Sequence, residues 1–196
     1  NGPTLAFVTT DALCNGMCNG TASVTATNGT PGYTYQWSTN VNDTNTTVSG
    51  LCVTGQPIAV MVTDAIGCIQ TGQVTISSPN PLIASIPIAS QANCNGDCNG
   101  SISTVVSGGT PIYTYAWSPA SITGSSGDSL CAGNYSVTVT DANGCSITVF
   151  DTLTDPSLLV LTGTVVPASC NNAADGAINT TTTGGTPGLV SPGYTW

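Results

Sequence analysis

Across 196 residues the chain holds no Lys, Arg or His, and its nine acidic residues are all Asp, for a net charge of −9. With His, Lys and Glu missing, three of the commonest general acids and bases are gone, so no enzyme is expected. Without a cation the chain cannot displace counterions from phosphates, which excludes nucleic acid and disfavours anionic lipid. No apolar run reaches the ~18 residues that cross a bilayer as a helix, so no membrane insertion is expected.

Thr, Ser, Gly and Asn number 33, 20, 23 and 16, a composition that could mean disorder. The apolar residues nevertheless alternate with small polar ones in short runs, the period-two pattern of half-buried strands. No segment carries them at sustained helical spacing, so the fold class is all-β. In chain order the first landmark is Cys14-Asn15-Gly16-Met17-Cys18-Asn19-Gly20. Next, Tyr33, Tyr35 and Trp37 share one strand face, with Thr34 and Gln36 on the other. That aromatic face is expected to be core; an exposed row on which sugars stack is the alternative reading. Leu51-Cys52 and Val62-Thr63-Asp64-Ala65-Ile66-Gly67-Cys68 follow, then a linker at Ser77-Ser78-Pro79-Asn80-Pro81.

The whole series then returns. Cys94 to Gly100 repeats the first landmark with a shift of 80 residues (94 − 14), and Tyr113, Tyr115 and Trp117 repeat the aromatic row with the same shift. Leu130-Cys131 and Val139-Thr140-Asp141-Ala142-Asn143-Gly144-Cys145 complete the copy. Its strands are predicted near Leu82 to Ile86, Ser101 to Ser107, Tyr113 to Ser118, Asn134 to Asp141 and Ser146 to Thr152, while Ser121 to Leu130 shows no clear pattern. Asp141-Ala142-Asn143-Gly144 reads as a hairpin turn with Gly144 in the left-handed region, and Gly67 is expected to match it. After Thr154-Asp155-Pro156 a third copy starts. It carries Cys170, Asp175-Gly176 and Gly185-Thr186-Pro187, and runs to Tyr194-Thr195-Trp196.

Repeats of about 78 residues, with turn signals every ~8–12 residues, fit an immunoglobulin-like β-sandwich. The expected domains are 1–78, 79–155 and a truncated 156–196. Because the third copy stops at the counterpart of Trp37 and Trp117, the chain is expected to be part of a longer array, strung on short semi-rigid Pro linkers.

Nine Cys in a chain without His point to disulfides and an oxidising, extracellular compartment. The third copy keeps Cys170 but has Ala174 where a second Cys would fall, so the first Cys need not pair with the second. The favoured pairing is Cys14 with Cys68, Cys18 with Cys52, Cys94 with Cys145 and Cys98 with Cys131. Each such bridge would add about 3 to 4 kcal/mol in the chain-entropy model. Cys170 is then left for a partner beyond the chain.

Taken together, Cys94 to Ser101, Gly108 to Ser118 and Leu130 to Cys145 resemble the SprB repeat, and the resemblance extends over both full copies and the partial third. It implies a very large filamentous cell-surface adhesin of gliding Bacteroidota, attached at the outer membrane, exported by the type IX secretion system and carried by the gliding motor. Expected partners are external surfaces or polysaccharide, with the gliding and secretion machinery engaged through other parts of the parent chain, and self-association of filaments. The copies depart from one another at Gln56-Pro57 and at Leu189-Val190-Ser191-Pro192, both insertions. Asp128-Ser129-Leu130 and Asp151-Thr152-Leu153 resemble the O-glycosylation pattern of the same phylum, which makes Ser129 and Thr152 candidate acceptors.

Asp64 and Asp141 fall in hairpin turns, Asp97 and Asp175 in the Gly-rich loop. With about one Asp per loop and no Asp-x-Asp run, turn capping is the expected role, and no cofactor is expected; calcium is the alternative. No Cys has a His to activate it, and no Gly pattern opens a helix, so catalytic residues are expected to be none. The sequence therefore reads as a structural, adhesive stalk. A carbohydrate-binding module array and a self-assembling surface fibre are the alternatives.

Overall fold

The computed structural model describes residues 2–39 and 43–186, and these hold fourteen β-strands and no helix. The first repeat contributes β1 (Thr4–Thr10), β2 (Gly20–Thr27), β3 (Thr34–Trp37), β4 (Thr47–Leu51), β5 (Ile58–Thr63) and β6 (Ile69–Val74). They form two antiparallel three-stranded sheets, β1-β2-β4 and β3-β5-β6. Alternation sends Ala22 and Val24 of β2 and Val60 and Val62 of β5 inward, where they meet Trp37, Val48, Leu51, Ile58 and Ile76 in one core. Trp37 is fully buried, and its indole Nε1 donates to Asn45 O at 2.9 Å.

The outer faces explain the Thr and Ser content. Thr10 pairs with Thr21 through their hydroxyls at 2.7 Å, and Ser23 with Thr47 at 2.8 Å, across neighbouring strands. Gly20, the last residue of the first landmark, is required by packing. A Cβ there would lie 2.6 Å from Ile76 Cγ2 and 3.1 Å from Thr10 O.

The second repeat has the same order: β7 (Ile83–Ser90), β8 (Gly100–Ser107), β9 (Thr114–Ser118), β10 (Ser126–Leu130), β11 (Gly133–Thr140) and β12 (Ser146–Leu153), in sheets β7-β8-β10 and β9-β11-β12. β2 and β8 have the same burial pattern, residue for residue. Ile102, Trp117, Leu130, Val137, Val139 and Leu153 are buried, and Trp117 Nε1 donates to Gly124 O at 2.9 Å. β7 runs on to Ser90 rather than ending near Ile86: Pro87 cannot donate to a ladder, but β7 is an edge strand, where the missing donor is tolerated. β10 occupies the stretch without a clear pattern. It pairs with β8 across an irregularity between Gly127 and Leu130, with Ser129 at φ 58°.

The described residues of the third repeat form a hairpin of β13 (Val160–Val166) and β14 (Ala177–Thr183), with Val160 opposite Thr183 and Val166 opposite Ala177. Leu161, Val165 and Ile178 are exposed. The insertion at 189–192 and the terminal Tyr194-Thr195-Trp196 lie outside the described residues.

The chain folds as two compact units. One holds residues 1–83 with 106–113 and 140–147; the other holds 84–105, 114–139 and 148–196. Turns of the second repeat thus belong to the same unit as the whole of the first.

Candidate functional site

Two recurring loops carry the chemistry. The first is the hairpin between β5 and β6, and its copy between β11 and β12. Asp64 is buried, with 4% of its surface exposed. Its Oδ1 accepts from the amides of Ile66 at 3.1 Å and Cys68 at 2.8 Å, and its Oδ2 from the amide of Thr30 at 3.0 Å. Asp141 repeats this with Asn143 at 2.9 Å, Cys145 at 2.9 Å and Thr110 at 2.8 Å. The Thr30 amide, and Thr110 in the copy, hold each carboxyl below its ordinary value; burial acts in the opposite sense and is outweighed. Gly67 and Gly144 sit at φ 89° and 83°, which lets each turn close on its Asp. The result is a rigid tip that presents a cysteine.

The second is the loop that opens with Cys-Asn-Gly in the first two copies and with Cys170-Asn171-Asn172 in the third, and it has one design in all three. Leu13 N donates to Asn19 Oδ1 at 3.0 Å, Asn93 N to Asn99 Oδ1 at 2.9 Å, and Ser169 N to Asp175 Oδ1 at 2.9 Å. Cys14 O, Cys94 O and Cys170 O each accept the amide three residues on, at 3.1 Å. The Ser169 hydroxyl and amide hold the Asp175 carboxyl below its ordinary value. The linkers dock back on this loop: Asn15 Nδ2 donates to Pro79 O at 3.2 Å, Asn95 Nδ2 to Pro156 O at 2.9 Å, and Gly96 N to Asp155 Oδ2 at 3.0 Å.

Within the first unit the two kinds of loop meet. Cys14 and Cys145 form a disulfide with Cα atoms 5.8 Å apart. Beside it, Asn143 Nδ2 donates to Leu13 O and to Thr110 Oγ1, both at 2.9 Å. Disulfides Cys18–Cys52 and Cys98–Cys131 join the loop to the end of β4 or β10 inside each repeat. Cys68, Cys94 and Cys170 are free thiols.

This corrects two expected pairs, Cys14 with Cys68 and Cys94 with Cys145. Cys68 lies at the start of β1, its Cβ 3.6 Å from where a Cβ on Gly2 would be. Cys14 follows the other end of that seven-residue strand, roughly 20 Å away at strand rise. A disulfide spans at most ~7 Å between Cα atoms. Cys145, taken by Cys14, has no sulfur left for Cys94.

The other candidate residues lie apart. Tyr35 and Tyr115 are half-buried beside Trp37 and Trp117 on their strands. Ser129 is exposed on β10; Thr152 is exposed on β12, where its Oγ1 donates to Asn134 Oδ1 at 2.9 Å. Asp97 is exposed and accepts from Asn99 Nδ2 at 3.4 Å. Among the described residues no three Cys or Asp side chains come together as a metal site. Leu13, Asn143 and the linker-docking Asn15 and Asn95 were not singled out by sequence reasoning. The signal was present in the repeat itself, since Asn15 and Asn95 are 80 residues apart (95 − 15) in identical Cys-Asn-Gly contexts.

Paired three-stranded sheets in series define a tandem, immunoglobulin-like β-sandwich protein stabilised by disulfides. A solved structure of the three N-terminal domains of the bacteriophage RB49 highly immunogenic outer capsid protein (Hoc) is similar to it. The similarity has a TM-score of 0.56 at 13% identity and covers 97% of this chain and 71% of that one. The SprB repeat family model matches residues 6–42 and 87–121, in keeping with the resemblance in sequence. Both matches run from the first strand through the Cys-Asn-Gly loop to just past the Trp strand. No curated protein matches the chain.

Proposed function

We propose that this chain is a non-catalytic stalk segment of an extracellular filamentous adhesin, displayed on the surface of a gliding bacterium and delivered there by type IX secretion. The two SprB repeats support the cell-surface setting, and the three disulfides support an oxidising one. The observation that carries the reading is the bond between Cys14 and Cys145, which closes a loop of sequence separation 131. Tension applied to the ends passes through that bond instead of through the chain between them. About 450 Å of extended chain is thereby locked against stretching, as a stalk under tension requires. The net charge and the Thr- and Ser-paired faces keep neighbouring stalks soluble. On this reading the modules correspond to 1–78, 79–155 and a third copy from 156 onward, contact is made with external surfaces or polysaccharide, and Ser129 is a glycan acceptor.

Antibodies raised to the 196-residue chain should label intact cells, and disruption of its gene should reduce attachment to glass and gliding. Labelling only after permeabilisation, or unchanged attachment and gliding, would overturn the proposal.

A further inference from the structure

We propose that Cys68 and Cys94 are open rungs of a head-to-tail disulfide ladder. Cys94 bonds the hairpin cysteine of a following copy of the repeat, and Cys68 bonds the Cys-Asn-Gly cysteine of a preceding copy, as Cys145 and Cys14 bond each other. The inference concerns covalent connectivity and does not rest on the adhesive role.

Each free thiol is presented as its bonded counterpart is. Cys94 sits in the loop that repeats the Cys14 loop, with the same amide closure from Asn99 and the same 3.1 Å bond to its own carbonyl. Cys68 sits in the hairpin that repeats the Cys145 hairpin. Asp64 N donates to Cys68 O at 3.0 Å and Asp141 N to Cys145 O at 2.9 Å, and each cysteine amide donates to its Asp Oδ1. Neither thiol has a sulfur within its own repeat to take: the far end of β1 separates Cys68 from Cys14, and Cys18 and Cys98 are already bonded.

A second observation lies at the Cys94 loop. At the bonded junction, Thr110 stands between the two loops, its amide on Asp141 and its hydroxyl linked through Asn143 to Leu13 O. Thr186 is the third repeat's counterpart of Thr110. Its Oγ1 donates to Asn93 O at 2.9 Å, and Asn93 is the counterpart of Leu13. The turn that accompanies a hairpin cysteine has therefore already docked at the Cys94 loop.

The third copy supplies a further argument. It has lost the second loop cysteine, Ala174 standing in its place, yet keeps Cys170 in the same turn. A cysteine retained without its sequence neighbour is one whose partner lies elsewhere. Ile66, 71% exposed, occupies the tip position that Asn143 holds at the bonded junction.

Closing each rung takes two thiols to one S–S bond, releasing two protons and two electrons. These reduce the disulfide of a thiol–disulfide oxidoreductase to its dithiol by exchange through a mixed disulfide.

The test is a disulfide map of the native protein taken from the cell surface. Free thiols are alkylated first. Pepsin then digests at acid pH, where thiolates are scarce and exchange stops; trypsin has no site in this span. The Cys94 peptide should be joined to a hairpin-cysteine peptide of another copy, and the Cys68 peptide to a Cys-Asn-Gly peptide of another copy. The mass of the undigested, alkylated protein before and after reduction tells whether that copy lies in the same polypeptide or a second chain, and either supports the ladder. Alkylated Cys68 and Cys94, or bonds from them to a cysteine outside the repeats, would overturn it. As a second measurement, Cys94→Ser should free one alkylatable thiol in another copy's hairpin and leave Cys98–Cys131 intact; no new thiol would count against the proposal.

Discussion

Thr104 of β8 and Val24 of β2 hold the same place in the two sandwiches, 80 residues apart (104 − 24), and both are buried. Valine there is satisfied by packing alone, whereas the Thr104 hydroxyl has no hydrogen-bond partner. An unsatisfied buried hydroxyl costs about 1 to 3 kcal/mol, and Val has nearly the same shape. Thr104→Val should therefore raise the unfolding free energy of the second sandwich by about 1 kcal/mol in urea titration; a loss of stability would show that the hydroxyl is bonded in solution. At this scale the inward and outward alternation of Tyr35 and Trp37 was legible in the sequence, because a strand has period two. The acceptors of the Trp indoles were not, since Asn45 and Gly124 reach them from loops of different sequence.

Among elements, the Asp-anchored hairpins set how stability depends on pH. The folded carboxyls of Asp64 and Asp141 are held below the ordinary value of about 3.9 by amide donors, that of Thr30 or Thr110 first. A lowered folded value means the contribution is fully present above pH ~4 and is lost as pH falls through the folded value. Chemical denaturation followed from pH 7 to pH 2 should show stability holding and then dropping below pH ~4, with a shallower drop in Asp141→Asn. An unchanged profile in that variant would contradict the hairpin role. The hairpins were readable from Asp-x-x-Gly, because that spacing needs a left-handed glycine. The extent of β7 was hidden by Pro87, whose cost depends on whether a strand lies at an edge. β10 was hidden because Ser126, Gly127 and Ser129 have little strand propensity and are held by pairing with β8 and the burial of Leu130.

For the whole molecule, self-similarity made the repeats and the sandwich class legible, and the SprB match falls on the stretch richest in shared landmarks. Counting cysteines pointed to disulfides in the first two repeats but left open which end of a sandwich each sulfur occupies. Cys14 and Cys68 look like a pair in one repeat until β1 places them at opposite ends. The central claim is that consecutive repeats are covalently joined by Cys14 and Cys145 as well as by the linker. A single engineered protease site between Ser78 and Pro79, cut after free thiols are blocked, tests it directly. The account predicts that the two fragments migrate together under denaturing, non-reducing conditions and separate only when reductant is added; fragments that part without reductant would contradict it.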